Sequence, residues 1–157
     1  ERLKPLLEAW LAEPFAAQAG QLHEIPICYD GEDLADVARQ CRLSVAEVIK
    51  LHAATEYRVG AIGFAPGFAY LGELDARLAL PRRATPRISV PPGSLAIAER
   101  QTAIYPQSSP GGWHLIGRCP WSLFNAAQTP PCPLVLADRV RFRSISEREF
   151  IGEGGQP

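Results

Sequence analysis

The stretch GFAPGFAYLG (63–72), continued through LPRRATPRISVPPGSLAIA (80–98) and QTAIYPQSSPGGW (101–113), decides how this chain folds. Glycine supplies backbone conformations with positive φ and proline holds φ near −65°, so a run this dense in both prescribes a series of turns. Between the turns lie short β-branched or aliphatic segments, Ile88 to Val90, Leu95 to Ala98 and Thr102 to Tyr105, each about the length of a strand. A proline-rich linker would be poor in aromatic and aliphatic residues. Here Phe64, Phe68, Tyr70, Leu71, Tyr105 and Trp113 supply enough apolar surface to fold.

Working outward, Leu22 to Tyr29 reads as a strand with Ile25, Ile27 and Tyr29 on one face, and Thr55 to Ile62 as a second with Tyr57, Val59 and Ala61 on one face. Leu115 to Gly117 and Pro133 to Ala137 are further strand candidates, and Val140, Phe142 and Ile145 complete the pattern. Many short strands separated by regular turn signals predict a mainly β fold, a closed or nearly closed barrel. The helical signal is confined. Asp33 stands where it can cap a helix with inner face Leu34, Val37, Ala38 and Cys41, and Ser44 with Glu47 forms a capping box before Val45, Val48, Ile49 and His52.

That helical pair also has the spacing of a helix-turn-helix, but its second helix offers only Lys50 as a base, and the whole chain carries a net charge of −1. A structural pair leading into the barrel is the better reading, and no nucleic-acid partner is expected. Upstream, Leu3, Leu6, Leu7, Trp10 and Leu11 recur at the spacing of one helix face that ends near Pro14. The division expected is 1–20 as a helix left from a preceding α/β domain, 21–152 as the barrel and 153–157 as a tail. A chain without methionine that starts at Glu1 reads as part of a longer protein.

With 157 residues, 46% hydrophobic and 21% charged, the composition is that of an ordinary soluble domain. No apolar run approaches the roughly 20 residues that span a bilayer, and no signal-peptide pattern is present, so a cytoplasmic location without membrane contact is expected. Cys28, Cys41, Cys119 and Cys132 form no C-x-x-C pair and the three histidines are not spaced as zinc ligands, so no metal site is expected and the cysteines read as reduced thiols.

Arg82 and Arg87 each follow a proline, which fixes part of their backbone, and a preorganised guanidinium suits a carboxylate or phosphate. The alternative is surface pairing with Glu56, Glu73 or Asp75, and Arg77 and Arg83 read as solvated. Pro91-Pro92-Gly93-Ser94 and Ser109-Pro110-Gly111-Gly112 are turns whose backbone N–H groups and hydroxyls suit an anion. Gln101 and Tyr105 add neutral hydrogen bonds, while Phe64, Phe68 and Trp113 exclude water. His52 is either a general base or a satisfied core histidine. There is no G-x-x-x-x-G-K-[ST] loop, and no Ser-His-Asp or Cys-His order can be assembled.

The motifs together resemble the family of the 5-oxoprolinase B subunit, also described as allophanate hydrolase subunit 1 and including the sporulation-kinase inhibitor KipI. The resemblance rests on Gly63 to Leu71, the pairs Pro81-Arg82 and Pro86-Arg87, Val90-Pro91-Pro92-Gly93-Ser94, Gln101 to Pro106, and Ser109-Pro110-Gly111-Gly112-Trp113 with Ile116-Gly117-Arg118; it runs from about Ile25 to Phe150. It implies a cyclophilin-like barrel and an ATP-dependent opening of the lactam 5-oxoproline, with ATP and Mg2+ shared with a homologous subunit of the C type in a hetero-oligomer, the chain alone being inactive. It implies His52 and Arg87 as catalytic and Gly63, Phe64, Pro66, Gly67, Phe68, Tyr70, Arg82, Gly93, Ser94, Gln101, Tyr105, Ser109, Gly111, Gly112 and Trp113 as binding the lactam or an anion. Carboxyl transfer to urea with a biotin-carrier partner, and inhibition of a histidine kinase, are the other functions the family implies. Four positions depart from its pattern: Pro92 replaces alanine, Ala98-Glu99 replaces Ala-Gly, Cys119 replaces threonine and Asn125 replaces aspartate. The last removes a carboxylate that is either catalytic or turn-forming.

Overall fold

The computed structural model describes residues 20–157, so the expected N-terminal helix lies outside the described residues. Chain order within them is β1 (Leu22–Cys28), α1 (Leu34–Cys41), α2 (Val45–Ala54), β2 (Tyr57–Ile62), β3 (Ala69–Gly72), a 3-10 turn (Ala76–Leu78), β4 (Arg87–Val90), β5 (Ser94–Ala98), β6 (Gln101–Ile104), β7 (Ser109–Gly111), β8 (His114–Arg118), β9 (Arg139–Ile145) and α3 (Glu147–Gly152). Seven strands close a barrel in the order β1-β8-β5-β6-β3-β2-β9, and β4 and β7 form a separate two-stranded ribbon. Closure is made by the parallel pairing of β1 with β9, in register from Leu22↔Arg139 to Cys28↔Ile145. The other barrel pairs are antiparallel. A closed barrel leaves no edge strand to template association.

The strand sequences explain two large clusters, beside a small third one of Cys28, Ile145 and Phe150. Alternate residues of a strand face opposite sides, and on β5 Leu95 and Ile97 join the main core with Ile25, Ile27, Tyr57, Val59, Leu71, Ile104, Ile116, Val140 and Phe142. Its other face, Ala96 and Ala98, joins Val90, Phe68, Ala103, Tyr105, Trp113 and Leu115 in a second cluster. Three small alanines there leave room for the large rings and for the ribbon residue Val90. The main core also takes Leu34, Val37 and Ala38 of α1 and Val48 of α2, so the helical pair packs on the barrel through these residues. Burying a side chain of this size contributes about 1.5–3 kcal/mol.

The capping box forms as expected, with the Glu47 N–H donating to the Ser44 hydroxyl and the Ser44 N–H donating to the Glu47 carboxylate. Two expectations are corrected. Pro133 to Ala137 is not a strand: Asp138 accepts the Val135 N–H at 3.0 Å, Ala137 takes φ of 71°, and the chain turns. Prolines at 130, 131 and 133 remove the donors that a ladder there would need. In β2 the inward alternation stops after Val59, because the register with β3 shifts between Val59 and Ala61 and leaves Ala61 exposed.

Candidate functional site

The Gly63–Phe68 segment is a closed turn, with the Gly63 N–H donating to the Phe68 carbonyl at 3.1 Å. Gly67 has φ of 82°, and a Cβ there would lie 2.7 Å from the Leu123 carbonyl oxygen, so both conformation and space demand glycine. Phe64 also has a positive φ, 69°, although it is not glycine, and its side chain is 64% exposed. Strained, exposed aromatic residues of this kind cluster at functional surfaces. The Phe68 ring is the hub beneath, with centroids of Phe64 at 5.3 Å, Tyr70 at 4.8 Å, Tyr105 at 5.3 Å and Trp113 at 5.8 Å, all at edge-on angles that aromatic quadrupoles favour. Five residues separated by up to 49 positions in sequence thus share one place. Pro66 stands exposed in the same turn.

Beside this cluster lies a node of charge that Asp33 organises. Its carboxylate accepts the Leu115 N–H at 2.7 Å, Arg87 Nη2 at 2.9 Å and Arg83 Nη1 at 2.5 Å, and the residue is 6% exposed. Arg87 Nε also pairs with Glu32 at 3.0 Å. Burial pushes the Asp33 carboxyl up, but the hydrogen bonds from Arg87 and Leu115 and the two guanidinium charges outweigh it and hold the group below its ordinary value. Asp33 does occupy the N-cap of α1, yet its side chain makes no capping hydrogen bond. The reading of Asp33 as a cap and of Arg83 as solvated is therefore corrected: the carboxylate serves the arginines. Arg77 lies on the surface and pairs with Asp75.

Arg87 Nη1, Arg83 Nε, the Ser109 hydroxyl and His114 Nδ1 are buried without a hydrogen-bond partner among the described residues. Arg82 is exposed, and it lines two cavities. One, of about 370 Å³, lies between α1 (Asp36, Gln40) and the Pro81–Thr85 segment with His114; the other, of about 520 Å³, is lined by Gly72, Glu73, Glu99, Arg100 and Gln101. Tyr105 links the node to the aromatic cluster. Burial pushes its phenol up, and the charges of Arg82 and Arg87 act against this. A Cβ on Gly111 would fall 2.2 Å from the phenolic oxygen, so only glycine admits the phenol.

Other expected site residues fall elsewhere. The Pro91–Ser94 turn offers no free donors: the Gly93 N–H goes to the Tyr105 carbonyl, and the Ser94 N–H and hydroxyl both go to the Pro91 carbonyl. It is a structural turn. Ser109 and Gly111 belong to the strand β7, paired with β4 at Val90↔Ser109 and Arg87↔Gly111, and the Gly112 carbonyl accepts the Arg83 N–H. His52 is 0% exposed, with Nε2 2.9 Å from the Thr102 hydroxyl and Nδ1 2.8 Å from the Tyr29 hydroxyl. Thr102 in turn donates to the Ala96 carbonyl, so Nε2–H donates, Tyr29 O–H donates to Nδ1, and burial pushes the ring's pKa down to about 3. No lone pair is left for a substrate, and the expected base is a core residue. Asn125 accepts the Ala127 N–H at 3.0 Å through Oδ1, a turn-forming bond that asparagine makes as well as aspartate.

The arginine node fits the anionic part of ATP or of a carboxylate ligand, because guanidinium N–H groups without partners point to an acceptor with several lone pairs. Magnesium fits less well: no group of three His, Cys, Asp or Glu gathers among the described residues, and Asp33 is already neutralised by arginine. Sequence reasoning missed Asp33, Arg83 and His114. The Pro-Arg-Arg sequence was a signal for the second arginine, but nothing local connects Asp33 to a strand 82 residues away.

Residues 1–134 match the family described as carboxyltransferase domain, subdomain C and D. The chain is 49% identical over 130 residues to a protein of Bacillus subtilis named as the B subunit of 5-oxoprolinase, covering 81% of this chain and 54% of that protein. It thus spans about half of that relative's length. A crystal structure of a conserved uncharacterized protein from Pyrococcus horikoshii superposes with a TM-score of 0.80 at 47% identity, over 83% of this chain and 62% of that one. The Kluyveromyces lactis urea amidolyase has a TM-score of 0.73 at 18% identity over 98% of this chain and 12% of its own, a likeness of fold. Among the described residues no helix is long and apolar enough to cross a membrane. On the strength of the motif-bearing region and these matches, the chain belongs to the carboxyltransferase subdomain C and D family that includes the B subunit of 5-oxoprolinase.

Proposed function

We propose that this chain supplies the barrel of an ATP-dependent 5-oxoprolinase, with residues 21–152 as a domain of cyclophilin-like type, working in the cytoplasm with a homologous second subunit. The observation that carries the reading is the 49% identity to a subunit of that name across 130 residues. The geometry is compatible with it in chemical terms. A lactam amide is a poor electrophile, and ATP, when bound, supplies a phosphoryl group that activates the carbonyl oxygen so that water can break the ring C–N bond. Arg82 and the partner-free N–H groups of Arg83 and Arg87 bind and orient anionic groups, and the Asp33 carboxylate holds two of these guanidiniums in place before a ligand arrives. Phe68, Tyr105 and Trp113 are buried in one aromatic cluster with Tyr70 packed on it, and the exposed Phe64 ring lies at its edge, an apolar surface that suits closure by a partner. The members of the aromatic cluster carry no carboxylate or imidazole, and the rest of the chemistry is assigned to a partner facing Gly63 to Leu71 and Ser109 to Trp113. No step is assigned to Mg2+ on this chain.

The test is conversion of isotopically labelled 5-oxoproline by this chain, the second subunit and ATP together. Labelled glutamate is the expected product, and its absence in every combination would reject the reading. Arg82→Gln gives a second test, because Arg82 is exposed while Arg87 is held by Glu32 and Asp33. Losing a charge-assisted hydrogen bond costs about 1.5–3 kcal/mol, so kcat/KM should fall roughly tenfold to a hundredfold with the unfolding midpoint unchanged. Arg87→Lys should lower both turnover and stability, since lysine lacks the two-pronged contact that bridges Glu32 and Asp33. Unchanged turnover in Arg82→Gln would remove Arg82 from the site.

A further inference from the structure

Backbone strain in the Gly63–Phe68 turn falls on the one residue whose ring stands out from it. The Ala65 N–H donates back to the Gly63 carbonyl at 2.8 Å across Phe64, whose φ is 69°, a three-residue turn of the rare, strained γ type. Glycine adopts this conformation without a Cβ clash, and the same segment does use glycine at 67, where φ is 82°. At 64 it keeps phenylalanine. Folding gains little from that ring, which is 64% exposed and meets the Phe68 ring edge-on. A side chain that costs backbone strain and buries little within the chain finds its use in a contact outside it.

The surroundings define what can cover the ring. From Val59 to Gly72 no residue is charged, and Ala61, Ile62 and Pro66 of the same strand and turn are exposed. A small ligand is a poor match, because the ring projects into solvent and lines neither of the two cavities. A second copy of this chain is a poor match as well. Those cavities are walled by Asp36, Arg82, Arg83, Glu73, Glu99 and Arg100, and seating a phenyl ring among them would strip charged groups of water. The occupant is therefore a different protein, with an uncharged face and an apolar hollow the size of the ring. Aromatic side chains seated in such hollows carry most of the energy of an interface.

We infer that Phe64 is the anchor by which this chain docks its second subunit, the ring entering an uncharged apolar pocket of that subunit with Ile62 and Pro66 at the rim. Naming the second subunit as the occupant rests on the function proposed above. The turn, closed also by the Gly63 N–H on the Phe68 carbonyl and the Phe68 N–H on the Ala65 carbonyl, holds the ring outward before the partner arrives, which lowers the ordering cost of association.

The experiment measures, by titration calorimetry, the dissociation constant between the homologous second subunit and the whole chain, unaltered and as Phe64→Gly, Phe64→Ala and Phe64→Leu. Phe64→Gly removes the ring and the strain together, so binding should weaken at least about thirtyfold while the unfolding midpoint rises or falls by no more than about 4 °C. Phe64→Ala should weaken binding by a similar factor, and Phe64→Leu, which keeps an apolar side chain, by less. Unchanged affinity in Phe64→Gly, no association of the unaltered chain with the second subunit, or a midpoint lowered further than that overturns the inference. So does self-association of this chain alone that Phe64→Gly abolishes. Glutamate formation by the two-subunit mixture with any of those results leaves the proposed function standing without this anchor. Association that depends on Phe64, with no glutamate from any mixture, keeps the anchor and removes the hydrolase reading.

Discussion

Asp33→Ala is expected to destabilise the chain by about 3–5 kcal/mol, the loss seen when one partner of a buried ion pair is removed and the other charge stays behind. The size of the effect distinguishes two roles. Loss of a helix N-cap costs about 0.5–2 kcal/mol, whereas Asp33 accepts from a backbone N–H of β8 and from two arginines, one of them on β4 and the other just before it. Its removal leaves the Leu115 N–H and two guanidiniums without their acceptor. Asp33→Asn keeps an oxygen for Leu115 but not the charge, and should fall between. Because the folded-state pKa of Asp33 is depressed, its contribution is present above the ordinary carboxylate range and is lost as pH falls through the lower folded value. Denaturant unfolding of both variants at neutral pH measures this, and a loss near 1 kcal/mol for Asp33→Ala would return the residue to a capping role.

His52→Ala should be of comparable size and should also remove a pH dependence. The ring stacks on Phe142 with centroids 4.9 Å apart, and deletion leaves a cavity, the half-buried Tyr29 hydroxyl without its acceptor and the buried Thr102 hydroxyl without its donor. Large-to-small changes in a core cost about 2–5 kcal/mol, and stranded polar groups add to that. In the unfolded chain the imidazole takes up a proton near pH 6.5, whereas burial delays this to about 3 in the folded chain. Stability contributed by the uncharged ring is therefore full above roughly pH 6.5 and falls with decreasing pH at up to about 1.4 kcal/mol per unit until pH nears 3. The difference between the unaltered chain and His52→Phe isolates that slope from the carboxylates. A flat difference between pH 7 and 4 would mean that the ring is protonated in the folded state, and would reopen its reading as a base.

These two residues also show where sequence was sufficient and where it was not. The barrel was legible because alternation and turn chemistry act within a few residues: Leu95 and Ile97 against Ala96 and Ala98, or the Ser44–Glu47 box, need no distant information. Helical spacing puts His52 on the inward face of its helix, but whether an inward histidine is satisfied depends on Thr102, 50 residues on. The aromatic members of the expected site do meet, since Phe64, Phe68, Tyr70, Tyr105 and Trp113 form one cluster. The expected anion loop at Gly93 and Ser94 does not survive, because its donors are spent on Tyr105 and Pro91. Local sequence shows that a turn has N–H groups; it does not show who accepts them. His114 and Asp33 stayed invisible for the same reason, their roles being set by carbonyls, amides and arginines brought from other strands.

On the function proposed, this barrel presents half of a shared site, arginines for an anion and an aromatic cluster, and a second subunit completes it. ATP hydrolysis that depends on 5-oxoproline, measured for this chain, for the second subunit and for their mixture, tests it most directly. Hydrolysis in the mixture alone, at least a hundredfold (~2.7 kcal/mol) above either component, is the predicted result. Full turnover by this chain alone would contradict it, because the missing groups would then have to lie within the chain itself.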